Sequence, residues 1–108
     1  MASTSENSPF MKVISITIPG GGTNVQCGVA GTADADGALT FSTFPCRSCT
    51  IQYYSGTQVY MAVGRAATVA ATSWKLSKTI PMEIEIDDLS KLQFIGTAAD
   101  VVQIIARV

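Results

Sequence analysis

TIPMEIEIDDLSKLQFIGTAADVVQIIARV, residues 79–108, carries the plainest structural signal in the chain. Ile80, Met82, Ile84 and Ile86 alternate with Pro81, Glu83, Glu85 and Asp87. A period of two places four apolar side chains on one face of an extended strand. The acidic pair Asp87-Asp88 marks a corner. A second short strand, residues 92–95, ends at Gly96, and a third runs over residues 101–107. Strands so closely spaced form an antiparallel sheet and leave no room for βαβ crossovers.

The same reading extends upstream. In residues 11–18, Ile14, Ile16 and Ile18 share one face while Val13, Ser15 and Thr17 share the other. Pro19-Gly20-Gly21-Gly22 breaks that strand. Val25, Cys27 and Val29 alternate with polar or small residues in a second strand, and residues 33–37 read as a turn signalled by Asp36-Gly37. A third strand is expected over residues 39–44. A fourth covers residues 47–54, with Cys49, Ile51 and Tyr53 on one face, and after the turn Ser55-Gly56-Thr57 a fifth covers residues 59–63. Residues 65–77 mix helix-forming alanines with threonines and lack an apolar stripe, so they read as an irregular loop with room for one helical turn. About eight short strands predict an all-β fold, an antiparallel β-sandwich with a jelly-roll-like arrangement. The expected organisation is a polar arm, residues 1–10, followed by one domain, residues 11–108.

Composition narrows the function. Among 108 residues, 47% are hydrophobic and only 14% charged, against about 25% charged in ordinary domains. A small domain has much surface to cover, so this balance points to surface covered by partners. The seven basic residues are scattered and the net charge is −1, which argues against nucleic acid as a partner. The polar start MASTSENSP lacks the pattern of a signal peptide, and no apolar run approaches the length of a membrane helix. Three cysteines, an odd number, fit a reducing compartment such as the cytoplasm better than a disulfide framework.

The chain has no histidine, which excludes Ser-His-Asp and Cys-His catalysis and the common zinc enzymes. No catalytic residue, cofactor site or metal site is expected. Cys46-Arg47-Ser48-Cys49 is a CxxC, but Cys27 is the only further thiol for a four-ligand zinc site, and two cysteines three apart in a strand face opposite ways. Core packing is the better reading for all three thiols. Asp34-Ala35-Asp36-Gly37 has its glycine too early for a calcium loop, and Pro45 stands where the loop needs its glutamate. Gly20-Gly21-Gly22 lacks the Lys-Ser/Thr of a phosphate loop. Glu83 and Glu85 sit about 7 Å apart on one strand face, a spacing that paired carboxylates could use, but a solvated or subunit-facing strand is the more natural setting. Tyr53, Tyr54 and Tyr60 could form a sugar platform, although core packing and a subunit interface fit the sparse aromatics better.

CRSCTIQYYSGTQVYMAVG, residues 46–64, and SWKLSKTIPMEIEIDDLSKLQFIGTAADVVQIIARV, residues 73–108, together resemble a group of small phage virion proteins. That group has a Cys/Arg-containing strand ending in TIQ or TIK and a segment like VYVG. A Leu-x-x-Gly turn follows, then an alternating strand, a DLSKLY-like corner and IGTAGD before a final strand. The resemblance spans roughly residues 45–108 and is most specific over residues 84–102. The chain departs from it where Lys78 or Thr79 replaces the turn glycine and Gln93 replaces the aromatic. The resemblance implies a compact β-sandwich that is not an enzyme, resident on the virion and assembled in the host cytoplasm. It further implies a capsid cement or decoration role with the major capsid protein as partner, and a homo-oligomer, a trimer first, without membrane or nucleic-acid contacts. A tail, fibre or baseplate module that binds a host glycan through Tyr53, Tyr54, Tyr60 or Trp74 is the alternative. The interface residues expected on this reading are Ser3, Thr4, Ser5, Asn7, Pro9 and Phe10 of the arm, with Tyr54, Tyr60 and Trp74.

Overall fold

A computed structural model of the protein describes residues 11–19, 23–55, 58–68 and 73–108. These form ten strands: β1 (Met11–Thr17), β2 (Val25–Gln26), β3 (Thr32–Asp34), β4 (Gly37–Ala38), β5 (Ser48–Ser55), β6 (Val59–Val63), β7 (Trp74–Lys75), β8 (Met82–Ile84), β9 (Leu92–Gly96) and β10 (Val101–Arg107). A single 3-10 turn, Leu89–Lys91, is the helical structure among the described residues, and no helix there is long and apolar enough to cross a membrane. All strand pairings are antiparallel, in a six-stranded sheet ordered β4-β3-β1-β10-β5-β8 and a four-stranded sheet ordered β2-β9-β6-β7.

Setting the β3–β4 hairpin aside leaves eight strands. Renumbered in chain order, they form sheets 1-8-3-6 and 2-7-4-5. That is the jelly-roll order, in which the first and last strands lie side by side and the chain repeatedly crosses between sheets. The hairpin is an addition that widens the larger sheet beyond β1.

Period-two patterning puts one apolar row from each long strand between the sheets. Ile14 and Ile16 of β1, Cys49, Ile51 and Tyr53 of β5, and Val102, Ile104 and Ala106 of β10 face inward. They meet Val59 and Met61 of β6 and Leu92 and Phe94 of β9 in one core. A smaller cluster of Ala62, Ala67 and Ile95, with Tyr60 against it, lies apart from that core. The β9–β10 corner is tied to the end of β1: Ala99 N–H donates to the Ile18 carbonyl (2.9 Å) and Ile18 N–H to the Asp100 carbonyl (2.8 Å). The buried Asp100 carboxylate accepts from Thr97 N–H at 3.1 Å and Tyr53 O–H at 3.3 Å.

This corner holds Ala99 at φ 70°. A left-handed residue with a Cβ costs about 1–2 kcal/mol, while glycine loses more entropy on folding. Ala99→Gly is therefore expected to stabilise the domain by about 0.5–1 kcal/mol, read as a higher urea midpoint. An unchanged or lower midpoint would show that the corner is not strained.

Several strand boundaries differ from those the sequence predicts. Residues 39–44 form no strand, because their backbone is taken up by the preceding loop. Leu39 N–H donates to Thr32 and Phe41 N–H to Gly28, each at 2.9 Å. The turn signalled by Asp36-Gly37 is present, as the tip of the β3–β4 hairpin, where Asp36 N–H is bonded to Asp34 Oδ1 (2.8 Å). The loop at residues 65–77 contributes β7, which pairs with Tyr60 and Met61, and the strand expected to reach Val29 ends at Gln26, leaving Val29 exposed.

The strand expected from Ile80 to Ile86 is paired only over β8. The Ser77 hydroxyl accepts from the N–H groups of Thr79 (3.3 Å) and Ile80 (3.2 Å). This bend pulls Ile80 off the strand, so Ile80 is exposed, Met82 and Ile84 are half-buried and only Ile86 is buried. Ile84, whose alternation with Glu83 and Glu85 predicts burial, is thus only half-buried, packed against the core. Glu83 and Glu85 are exposed, as the alternation requires.

Candidate interaction surface

The larger sheet turns its second face outward. Down β1 that face carries Met11, Val13, Ser15 and Thr17; down β10, Val101, Gln103, Ile105 and Arg107; down β5, Ser48, Thr50, Gln52 and Tyr54. Register aligns them in cross-strand rows such as Val13–Ile105–Thr50–Glu83 and Ser15–Gln103–Gln52. In these rows the charges are Arg107 of β10 and Glu83 of β8, which pair with each other at 3.4 Å. Arg107 also donates to Thr50 Oγ1 at 3.0 Å. A solvated sheet face normally carries charged residues against water. Here Val13 is 56% exposed. Ile105 and Thr50 share its row. Toward β3 it lines a cleft with Met11, Lys12, Asp34, Ala35 and Asp36, so the face is sparse in charge along β10 and β5 and charged at its β3 side.

A second surface lies where both sheets end on the same side. β7 is the outer strand of the smaller sheet and β8 of the larger. Between them a cleft of about 250 Å³ is lined by Trp74, Lys75, Ser77, Ile80, Pro81 and Met82. Trp74 is 62% and Ile80 69% exposed. Neither a carboxylate nor a side-chain amide lines the cleft, so it lacks the usual partners of sugar hydroxyls.

The thiols gather around a third region. Cys27 and Cys49 are buried, Cys46 half-buried, and all three are free. Burial first, then the neighbouring Cys49, Asp88 and Cys46, pushes the Cys27 thiol up to about 12. Burial and Cys46 push Cys49 up to about 12 against a lowering by Arg107. Burial, Asp88 and Asp87 raise Cys46, whose Sγ lies 3.2 Å from the Ile86 carbonyl. The raised values leave all three as neutral thiols near neutrality, which in that form are poor nucleophiles. No group of three potential metal ligands occurs among the described residues.

Asp88 is the polar anchor beside these thiols. Burial works against its charge, but hydrogen bonds from Ser90 Oγ (2.7 Å), Phe44 N–H (2.9 Å) and Ser90 N–H (2.9 Å) prevail and hold its pKa below the ordinary value. It thereby caps the 3-10 turn and fixes the neighbouring loop. A depressed folded pKa contributes stability above the unfolded value of about 3.9, lost as pH falls through the folded value. Asp88→Asn should therefore lower stability at pH 7 and flatten the loss on acidification below about pH 4. Urea midpoints at neutral and acid pH check this, and an acid slope equal to the unaltered chain's would contradict it.

Among the described residues, the expected interface positions fall on both sheets, Tyr54 on the larger and Tyr60 and Trp74 on the smaller. Ser3, Thr4, Ser5, Asn7, Pro9 and Phe10 lie outside the described residues, as do the turn residues Gly20–22 and Gly56-Thr57. Tyr54 is exposed on β5, whereas Tyr60 packs against the smaller cluster and pairs with Lys75 beside Trp74. Tyr53 belongs to the core, which removes it from any sugar platform. Sequence reasoning missed Met11, Val13 and Ile105 as a surface, and Ile80 and Pro81 as cleft walls. Alternation shows that Val13 faces away from Ile14, but not that Ile105 lies beside it two strands out of chain order. Comparison with protein-family models, curated proteins and solved structures finds no match.

Proposed function

We propose that this chain is a bacteriophage virion structural protein, a capsid-associated cement or decoration protein that stabilises contacts between capsid subunits. The observation that carries this reading is the outward face of the larger sheet, which carries few charges along β10 and β5 and exposes Met11, Val13 and Tyr54. Such a face loses little on leaving water and gains from burial against the major capsid protein. The jelly-roll sandwich supplies rigidity, and the resemblance of residues 45–108 to small phage virion proteins supplies the particle. Enzymatic roles find little support, since the chain lacks histidine and its thiols are held protonated.

Size sets the mechanism. Strands about 4.8 Å apart with about 3.4 Å of rise per residue give β1, β10, β5 and β8 a face of roughly 450 Å². A stable interface takes about 800 Å² from each partner. One copy therefore holds weakly, and firm attachment comes from several copies or several contacts acting together. Cementing then acts by spanning a seam, so that separating two capsid subunits exposes this face again.

The test is readdition to capsids stripped of the protein. Val13→Glu places a charge on the β1 side of the face, beside Ile105, and is expected to weaken binding on the order of tenfold or more. Val13 is exposed, so thermal stability should hardly change. Binding as tight as that of the unaltered chain would rule this face out.

A further inference from the structure

We propose that residues 5–7 of a second copy of this chain fill the open edge of the larger sheet beside β1. The leading half of β1 has a strand on one side only. β10 pairs along the whole of β1, but β3 pairs with Ser15 and Ile16 alone. Main-chain groups of a strand point to its two sides in alternation. Thr17 N–H points to the β3 side, where it donates to the Gly31 carbonyl at 3.0 Å, whereas Ile18 N–H points to the other and donates to Asp100. Ser15 therefore faces β3, and so do Val13 and Met11, beyond the end of the ladder. Their N–H and C=O groups have no partner among the described residues. The β3–β4 hairpin stands off from them across a cleft of about 220 Å³ lined by Met11, Lys12, Val13, Asp34, Ala35 and Asp36. Two donors and two acceptors at a strand's repeat of about 6.8 Å suit one kind of occupant, another extended main chain.

Charge and sequence select that occupant. The hairpin is the far wall of the cleft, so the cleft takes a single segment and not the edge of a second sheet. Residues 1–10 lie outside the described residues and join β1 at Met11, so every copy brings such a segment to this edge. Lys12 lines the cleft, is exposed and forms no ion pair among the described residues. Glu6 is the one acidic residue of residues 1–10. With Glu6 across from Lys12 in antiparallel pairing, Asn7 falls across from Met11 and Ser5 across from Val13. Those are the two positions with open main-chain groups. Glu6 and Lys12 then form a non-hydrogen-bonded pair with Cα atoms about 4.5 Å apart, a close cross-strand setting for opposite charges. Toward the hairpin the segment offers only Thr4, Ser3 and Ala2, whose small side chains suit the wall there. The copy's own segment is barred from this register. Folding back takes a three-residue loop of Ser8, Pro9 and Phe10. Such a loop ends on a left-handed residue, a place for glycine where Phe10 stands, and Pro9 forces Ser8 out of the helical region that the turn needs. The two-residue loop Pro9-Phe10 needs a positive φ at its first position, which proline cannot adopt. A neighbouring copy therefore supplies the strand, and this contact does not rest on the virion reading.

Sedimentation equilibrium of the full chain should show self-association that is lost on deleting residues 2–8. Glu6→Lys and Lys12→Glu should each weaken it by about 3- to 10-fold, since each sets like charges across the pair. Combined in one chain, the two changes should restore it, because the charges across the pair are opposite again. Val13→Pro should weaken it about tenfold by removing an edge donor. The Val13 N–H has no partner among the described residues, so the melting temperature of that variant should hardly change. A chain that stays monomeric at the highest attainable concentration, association that survives the deletion, or a double charge variant no tighter than the single ones would each overturn the proposal. No capsid enters these measurements, so their failure leaves the cement reading standing, and a failure of capsid binding leaves this contact standing.

Discussion

Phe94→Ala is expected to destabilise the domain by about 3–5 kcal/mol, the range for removing a fully buried aromatic ring. Phe94 is completely inaccessible and heads the fully buried side chains by volume. It sits in β9 between two strands, directly across from Val25 of β2 and Met61 of β6. Truncation removes ring contacts on both sides and leaves a cavity that paired backbones on either flank cannot close. Since small domains are stable by only about 5–15 kcal/mol, the variant should lose much of its margin. Phe94→Leu keeps most of the volume and serves as the foldable companion. Equilibrium urea unfolding measures both. A cost for Phe94→Ala no larger than that for Phe94→Leu would mean that β9 does not face the core.

Gly28→Ala is the second large effect. Gly28 has φ 101°, and a Cβ there would lie 2.4 Å from the Phe41 carbonyl oxygen and 2.7 Å from its ring. The oxygen belongs to backbone and cannot swing away. Gly28 also anchors both chains at this point: its N–H donates to the buried Thr32 hydroxyl at 2.8 Å, and its carbonyl accepts from Phe41 at 2.9 Å. Conformational strain of about 1–2 kcal/mol and overpacking of about 1–3 kcal/mol together predict a loss of about 2–5 kcal/mol. Gly37→Ala is the control, because Gly37 has φ 116° but nothing within 4 Å of its would-be Cβ. It should lose only the strain. Equal losses at the two positions would refute the close approach of residues 28 and 41.

Much of the fold was legible because its long strands bury one face each. Residues 48–55 and 101–107 alternate cleanly. Residues 59–63 and 92–96 do so except at Ala62 and Ile95, which the smaller cluster buries. All four spans match the expected ones to within a residue or so. Reading failed where something other than burial sets the backbone. At residues 39–44 alternation is present, but hydrogen bonds to residues 28 and 32 claim the N–H groups a ladder needs. At Ile80 the Ser77 hydroxyl bends the chain before the strand begins. Both are local polar effects that a hydrophobic period cannot register. β7 was hidden because two residues are too few for any period to show.

The candidate surfaces were less legible for a different reason. A sheet face is assembled from strands far apart in sequence, and β1 lies beside β10 and not beside β2. Sequence alone shows that Val13 and Ile105 each point away from buried neighbours. Only the register places them side by side. The exposed Trp74 likewise gains meaning from the end strand it occupies next to Pro81 and Met82. The low charge content gave no location for the exposed apolar residues that the structure shows.

A reconstruction of the intact virion that carries this chain, at a resolution that traces strands, tests the cement reading most directly. The account predicts density for the jelly roll on the capsid shell, across seams between capsid subunits, with Met11, Val13 and Ile105 turned toward the shell. Density confined to the tail or baseplate, or a capsid-bound domain with that face open to solvent, would contradict it.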